Sequence, residues 1–445
     1  MKIKAIIGKA VRVCLCVAAA LILFVVGILL LIYSPWAQEI LRRGVVNKMS
    51  GGQTELTLDY FRLSFPLDID AGGIAMLNNG DTLAAASSLH ASIKLLPLLK
   101  GKAVVESLSA NDARYTMGAP DSLMYMTIAA DSLGVNPASV LLSDMAISLE
   151  EAAIRGGRLG IFLRPDTSTA RKPTAEPTKM SIELGRIALD DFDYTMRLMP
   201  SIDTLGAHIA RAELIGGRID MLTQKVSLGR FSGHGLDARY IAPDSTAIAL
   251  GGPYPAMDNS GSNENPNSAA MPWTVAIDSI AFTDSHALYT TRGLVPQPGL
   301  DFGYIEVSDL DLSVSDFYNR ETTVRLPIAL SGKERCGVNL DIVGQLDISD
   351  TALSFNGVSL HTANGTDVAF KGVLGMGDMA ADPSLPLSLT LRGGFDPADL
   401  GMMFPVFDTY LAAIPAADDV LLEADVDGTT GRLDVSSLDL RLNNC

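Results

Sequence analysis

The sequence predicts a mainly β protein: an N-terminal transmembrane helix, then an elongated, curved antiparallel β-sheet forming an apolar groove, with few short helices. Three observations carry this. Residues 13–33 (VCLCVAAALILFVVGILLLIY) hold no charge over 21 positions. Beyond residue 51, apolar and polar residues alternate with period two almost to the last residue, the pattern of strands with one dry and one wet face. Helical spacing is confined to two short stretches.

At about 1.5 Å per residue the apolar run covers about 31 Å, one bilayer core. Lys2, Lys4, Lys9 and Arg12 precede it without an acid, which places residues 1–12 in the cytoplasm and everything after the span on the far side. The run is longer than the about 7–15 apolar residues of a cleaved leader. It also leaves through Tyr33-Ser34-Pro35-Trp36 rather than small residues. It therefore reads as an uncleaved signal anchor with Tyr33 and Trp36 at the membrane interface. Cys14 and Cys16 lie within it as apolar thiols.

Residues 34–50 offer Ile40, Leu41, Val45 and Val46 at mixed helical spacing, interrupted by Gly44, a short juxtamembrane helix ending at Ser50-Gly51-Gly52. Strand text then begins. Leu56, Leu58 and Tyr60 alternate, and Leu63, Phe65, Leu67 and Ile69 continue in the opposite phase, which predicts a bulge between Tyr60 and Phe61. The cleanest alternations come late: Val338, Leu340, Ile342, Leu346 and Ile348; Leu385, Leu387, Leu389 and Leu391; Leu438, Leu440 and Leu442. Three segments echo one another, LSANDARY (108–115), IALDDFDY (187–194) and IAFTDSHALY (280–289). Each runs from an apolar alternation through an acidic turn to a tyrosine, as a strand-turn unit added repeatedly would.

Two stretches rich in Pro, Ser, Thr, Asn or Gly, near 164–179 and 242–272, read as loops inserted between strands. Near the end, Asp396 caps a helix starting at Pro397 within DPADLGMMFPVFDTYLAAI. It could plug or line the end of the sheet. The text stops in mid-strand at Cys445, so the natural chain is expected to be longer.

Composition and spacing exclude several functions. Lys+Arg 34 against Asp+Glu 51, with pI about 4.7, argues against a nucleic-acid partner or an extensive polybasic surface. Four cysteines, two of them in the span, make no disulfide scaffold. His90, His208, His234, His286 and His361 are scattered without metal-ligand spacing. Gly156-Gly157 and Gly216-Gly217 sit at strand turns, with no Lys-Ser or Lys-Thr to complete a phosphate loop. Glu423, Asp425, Asp427, Gly428 and Asp434 fall at calcium-loop spacing but lack the first Asp and the final Glu. Their flanks are strands, which predicts a hairpin turning at Asp427-Gly428. No catalytic residue, metal or cofactor is expected.

A long single-layer sheet with one apolar face must cover that face with a second layer or with an apolar ligand. The order of elements resembles the N-terminal part of AsmA/TamB-type envelope proteins. The resemblance rests on the anchor, the entry segment AQEILRRGVVNKMSGGQTELTLDYFRLSFPLDIDAGGIAML, the NGDTL turn before LHASIKLLPLLKGKAVVESLSANDARY, and the DPADLGMMFPVFDTYL helix. It implies that residues 51–445 form a periplasmic, inner-membrane-anchored β-groove for passive phospholipid transport between inner and outer membranes. It implies no catalytic residues. Related proteins of the TamB type meet an outer-membrane barrel partner through a C-terminal region that this sequence lacks. The groove lining is then the late alternations, Val338 to Ile348, Leu385 to Leu391 and Leu438 to Leu442. Two rival functions remain: an assembly or chaperone factor that pairs sheet edges with barrel strands, and an exported adhesive β-sandwich of compact domains.

Overall fold

The structure, a computed structural model, describes residues 34–51, 53–98, 102–120, 122–141, 146–164, 179–198, 203–242, 274–320, 323–349, 351–375, 384–407, 420–429 and 431–442. The expected span 13–33, residues 165–178 and 243–272 of the two loop insertions, and Cys445 lie outside them. Among the described residues no helix is long and apolar enough to cross a membrane.

Among the described residues twenty strands form one long curved sheet. The first are β1 (Thr54–Thr57), β2 (Tyr60–Ser64), β3 (Asp68–Asn78), β4 (Asp81–Ile93), β5 (Lys102–Met117), β6 (Met124–Val135) and β7 (Ala138–Leu141). The longest follow: β8 (Ala146–Leu163), β9 (Ser181–Leu198), β10 (Asp203–Asp220), β11 (Lys225–Ala242), β12 (Thr274–Thr291) and β13 (Tyr304–Arg320). Shorter ones close the series: β14 (Thr323–Glu334), β15 (Asn339–Ile348), β16 (Ala352–Thr362), β17 (Asp367–Gly375), β18 (Pro386–Phe395), β19 (Val420–Thr429) and β20 (Arg432–Leu442). Each strand lies beside its predecessor. β1 and β2 share one side of β3, and β6 and β7 share the gap between β5 and β8. Eighteen positions at about 4.8 Å each make a ribbon about 80 Å long.

The expectation of a wholly antiparallel sheet is corrected at two places. β8 and β9 are parallel, as are β11 and β12. Both junctions coincide with the two loop-like stretches. A parallel neighbour requires the chain to return the full strand length, which takes a dozen or more residues where a hairpin takes a few.

The strands do not run straight. Along one line from β3 to β13, neighbouring strands skip a residue at the same level, at Gly73, Ser87, Asp112, Asp131, Gly156, Asp191, Ala210, Gly235, Asp284 and Asp309. Seven of these, all Gly or Asp, have φ between 49° and 66°, a region Asp tolerates better than most residues. A second line crosses β8 to β13 at Glu150, Gly185, Gly216, Gly229, Asp278 and Asp316. Here a Cβ on Gly185 would stand 2.2 Å from the Glu150 carbonyl oxygen, and one on Gly229 2.3 Å from that of Ile215. Bulges bend strands, so two aligned rows crease the sheet lengthwise. The three echo segments place Asp112, Asp191 and Asp284 on the first line. Gly156-Gly157 and Gly216-Gly217 therefore sit inside strands at these creases, not at turns.

The helices guard the margins. α1 (Pro35–Met49) is capped by Ser34, whose Oγ accepts from the Ala37 N–H, and runs through Gly44 without the expected interruption. Gln38 Nε2 and Arg42 Nη1 donate to the Leu63 and Leu58 carbonyls, 2.9 and 3.0 Å away, occupying acceptors of the first edge strand. The break between β1 and β2 comes at Leu58-Asp59, just before the expected position. α2 (Leu95–Leu98) links β4 to β5, and α3 (Pro397–Met403) links β18 to β19 by way of the 3-10 turn Pro405–Phe407. Asp396 caps α3 as expected. Asp399, fully buried, accepts hydrogen bonds from Thr362, Asn364 and Thr366 at 2.5, 2.6 and 2.7 Å and ties the helix to the β16–β17 turn.

Candidate functional site

Register shows what the alternation builds. Beginning at Leu63 in β2, one row of directly paired residues passes through Ile69, Ala91, Leu108, Val135 and Ala152 to β8. It continues through Ile187, Leu214, Phe231, Ile280, Val314 and Ile328 to Gly344 of β15. A Cβ on Gly344 would touch Val358, and from Val358 the row goes on through Phe370, Leu391 and Ala424 to Leu438 of β20. All eighteen positions carry an apolar residue or glycine. One dry face is therefore continuous from the first edge of the sheet to the last.

The three late alternations singled out from sequence fall on that face. Leu340, Ile342, Leu346 and Ile348 pair with Gly332, Leu330, Leu326 and Val324. Leu387, Leu389 and Leu391 pair with Gly428, Val426 and Ala424, and Leu438, Leu440 and Leu442 with Ala424, Leu422 and Val420. Two members lie outside strands. Val338 sits in the β14–β15 turn at 1% exposure, and Leu385 is half-buried just before β18. The interface residue Trp36 is 69% exposed at the start of α1, and Tyr33 is outside the described residues. The hairpin after β19 turns between Thr429 and Arg432 rather than at Asp427-Gly428, which pair within the ladder.

Sequence reasoning missed the part of the face between the two creases, where Ala152, Ala212, Phe282 and Val314 are buried. Phe282 and Ala212 pack with Ile209 against Leu189, Phe192, Phe231, Leu236 and Ile280. Every one of these comes from β9 to β12, so this cluster is made by lateral neighbours. Buried carboxylates on this face lie toward one margin. Asp203 and Glu334 each keep one oxygen without a hydrogen-bond partner.

The opposite face carries charge ladders. Arg186 lies 2.8 Å from Glu151 and also pairs with Glu213. Asp190 accepts from Arg211 at 3.0 Å. His286 stands 3.0 Å from both Asp237 and Glu306. Partial burial opposes its charging, but the two carboxylates outweigh that and raise its pKa. The Arg239 guanidinium, with His286, holds Asp237 at about 2. A depression of about 620 Å³ on this face is lined by Gly160, Phe162, Thr195 and Gly206 together with the charged Arg158, Asp193 and Arg197. Among the described residues no three His, Cys, Asp or Glu side chains gather as metal ligands. Burial and a hydrogen bond to Glu334 push the Cys336 thiol up to about 11, an unreactive state.

No protein-family model, curated protein or solved structure matches the chain.

Proposed function

We propose that this chain is a membrane-anchored envelope protein of AsmA/TamB type that carries phospholipid between inner and outer membranes. Residues 13–33 span the inner membrane with the N-terminus cytoplasmic, and the sheet stands in the periplasm. The observation that carries the reading is the eighteen-position apolar row, continuous across the sheet, while among the described elements the strands pack extensively only against their lateral neighbours rather than under a second layer. The two creases would turn the sheet into a trough, with the small side chains on its floor. Acyl chains would lie on the dry face while headgroups remain in water. Such movement is passive, so direction is imposed from outside and no catalytic group is required.

The test is mass spectrometry of the purified full chain. Phospholipid is expected to co-purify and to be lost from Leu340→Asp and Leu387→Asp while circular dichroism and thermal unfolding stay unchanged. Lipid-free wild-type protein would sink the reading. Unfolded variants would instead assign these leucines to an ordinary core.

A second reading, strand pairing with nascent barrel proteins, draws on one feature. Among the described residues no strand pairs with the outer side of β20, where Leu438 and Leu440 are 68% and 65% exposed. Crosslinks from β20 to client protein rather than lipid would favour it.

A further inference from the structure

Three elements distant in sequence place exposed apolar side chains at one corner of the sheet. Trp36 lies at the start of α1. Phe65 occupies the β2–β3 turn at 64% exposure, and Leu96, in α2, is 74% exposed. Two hydrogen bonds join the three. Gln38, two residues after Trp36, donates to the carbonyl of Leu63, two residues before Phe65. The Ile93 N–H, just ahead of α2, donates to Leu67 at the end of the same turn, 3.1 Å away.

Exposed apolar side chains gathered at one corner mark an interaction surface. Charge identifies the cover. In a protein of net charge −17, Leu95-Leu96-Pro97-Leu98-Leu99 is bracketed by Lys94, Lys100 and Lys102, with Glu106 the first acid after them. Lys94 approaches Glu106 only to 3.8 Å, and both side chains are about half exposed or more. Leucines flanked by ammonium groups suit the boundary between acyl chains and anionic headgroups. The 21-residue apolar run of the sequence ends at Tyr33, next to the Ser34 cap of α1 at this corner.

We infer that this corner is a second membrane contact. Phe65 and the Leu95-Leu96 turn insert into the surface of an anionic phospholipid bilayer beside the anchor, while Lys94 and Lys102 meet its phosphates. The inference rests on the anchoring proposed above. It adds that the first strands are pressed against the lipid surface rather than hung from it by a tether.

The experiment reads insertion depth at one residue. Full-length protein carrying Trp36→Phe, Trp273→Phe and Leu96→Trp is reconstituted into phosphatidylcholine–phosphatidylglycerol vesicles whose acyl chains bear bromine. The probe is expected to lose most of its emission to bromine quenching. The same probe at Leu222→Trp, in the β10–β11 turn, should keep its emission, although Leu222 is itself 48% exposed. Adding Lys94→Glu and Lys102→Glu should restore the Leu96→Trp emission and leave co-purified lipid unchanged. A vesicle-bound chain whose Leu96→Trp probe is as bright as that at Leu222→Trp overturns the corner alone. Equal quenching after the lysine reversals overturns the choice of an anionic surface. A chain that does not bind vesicles overturns corner and anchor together, and the co-purified lipid assay then judges the groove by itself.

Discussion

The sheet has a broad half and a narrow half, and they solve the same problem differently. From β8 to β13 the strands are 17 or 18 residues long and pass both creases. From β14 to β20 they are 9 to 12 residues long, and only some carry a bulge. In the broad half the side chains between the creases are nearly buried, with Ala212 at 1% and Phe282 at 3%. In the narrow half burial reaches single positions such as Val358 at 3% and Val368 at 2%, while Leu387, Leu389 and Leu391 stay half-exposed and Leu438 is 68% exposed. Bending a wide single sheet gives its centre partners on the same face. A narrow sheet leaves its leucines to whatever binds them.

The largest expected effect is therefore in the broad half. Phe282→Ala should cost about 3–5 kcal/mol of unfolding free energy, against about 1–2 kcal/mol for Leu389→Ala, which gives up less buried area. Equal shifts in denaturant midpoint would erase the distinction between the halves. Next come the creases. Gly229→Ala should cost about 1–3 kcal/mol, because its methyl group meets the Ile215 carbonyl and overpacks the bend. Gly206→Ala, with nothing nearer than 4.0 Å, should be close to neutral by the same measurement.

A smaller effect follows from His286, whose pKa is higher folded than unfolded. Its contribution is complete below the unfolded value of about 6.5 and is lost as pH rises through the folded one. His286→Gln should thus flatten the decline in stability above about pH 6.5. Its partner Asp237, held at about 2, contributes above about pH 4 and loses that as pH falls toward 2. The smallest change is expected at the open edge. Leu438→Lys should alter stability by less than about 0.5 kcal/mol while reducing any concentration-dependent association seen by light scattering.

The same contrast explains what could be read in the text of the chain. In β18 the apolar residues alternate strictly, and in β15 only Val343 departs from the phase, so Leu340, Ile342, Leu346 and Ile348 and the residues from Leu387 to Leu391 are assigned to one face without coordinates. In β9 the phase changes twice, through Ile182, Leu184, Ile187, Leu189, Phe192 and Tyr194. A period-two reading loses the face at each crease, which is why Ile187, Phe231 and Phe282 were passed over. The signal was present in that stepped spacing and in the Gly or Asp at each step. Parallel pairing was likewise legible in connection length, since seventeen residues separate Leu163 from Ser181 where a hairpin needs about two to five. The continuity of the face was not legible, because it depends on cross-strand register that no single strand specifies.

Strict succession of neighbours also bears on how such a molecule comes into being. No strand waits for a partner made much later: β9 needs only β8, and β10 only β9. A chain emerging from its N-terminus can therefore dock each new segment on the last one finished. Contacts stay local in sequence and the slow search typical of large β proteins is avoided. Throughout growth the bare edge is simply the newest one.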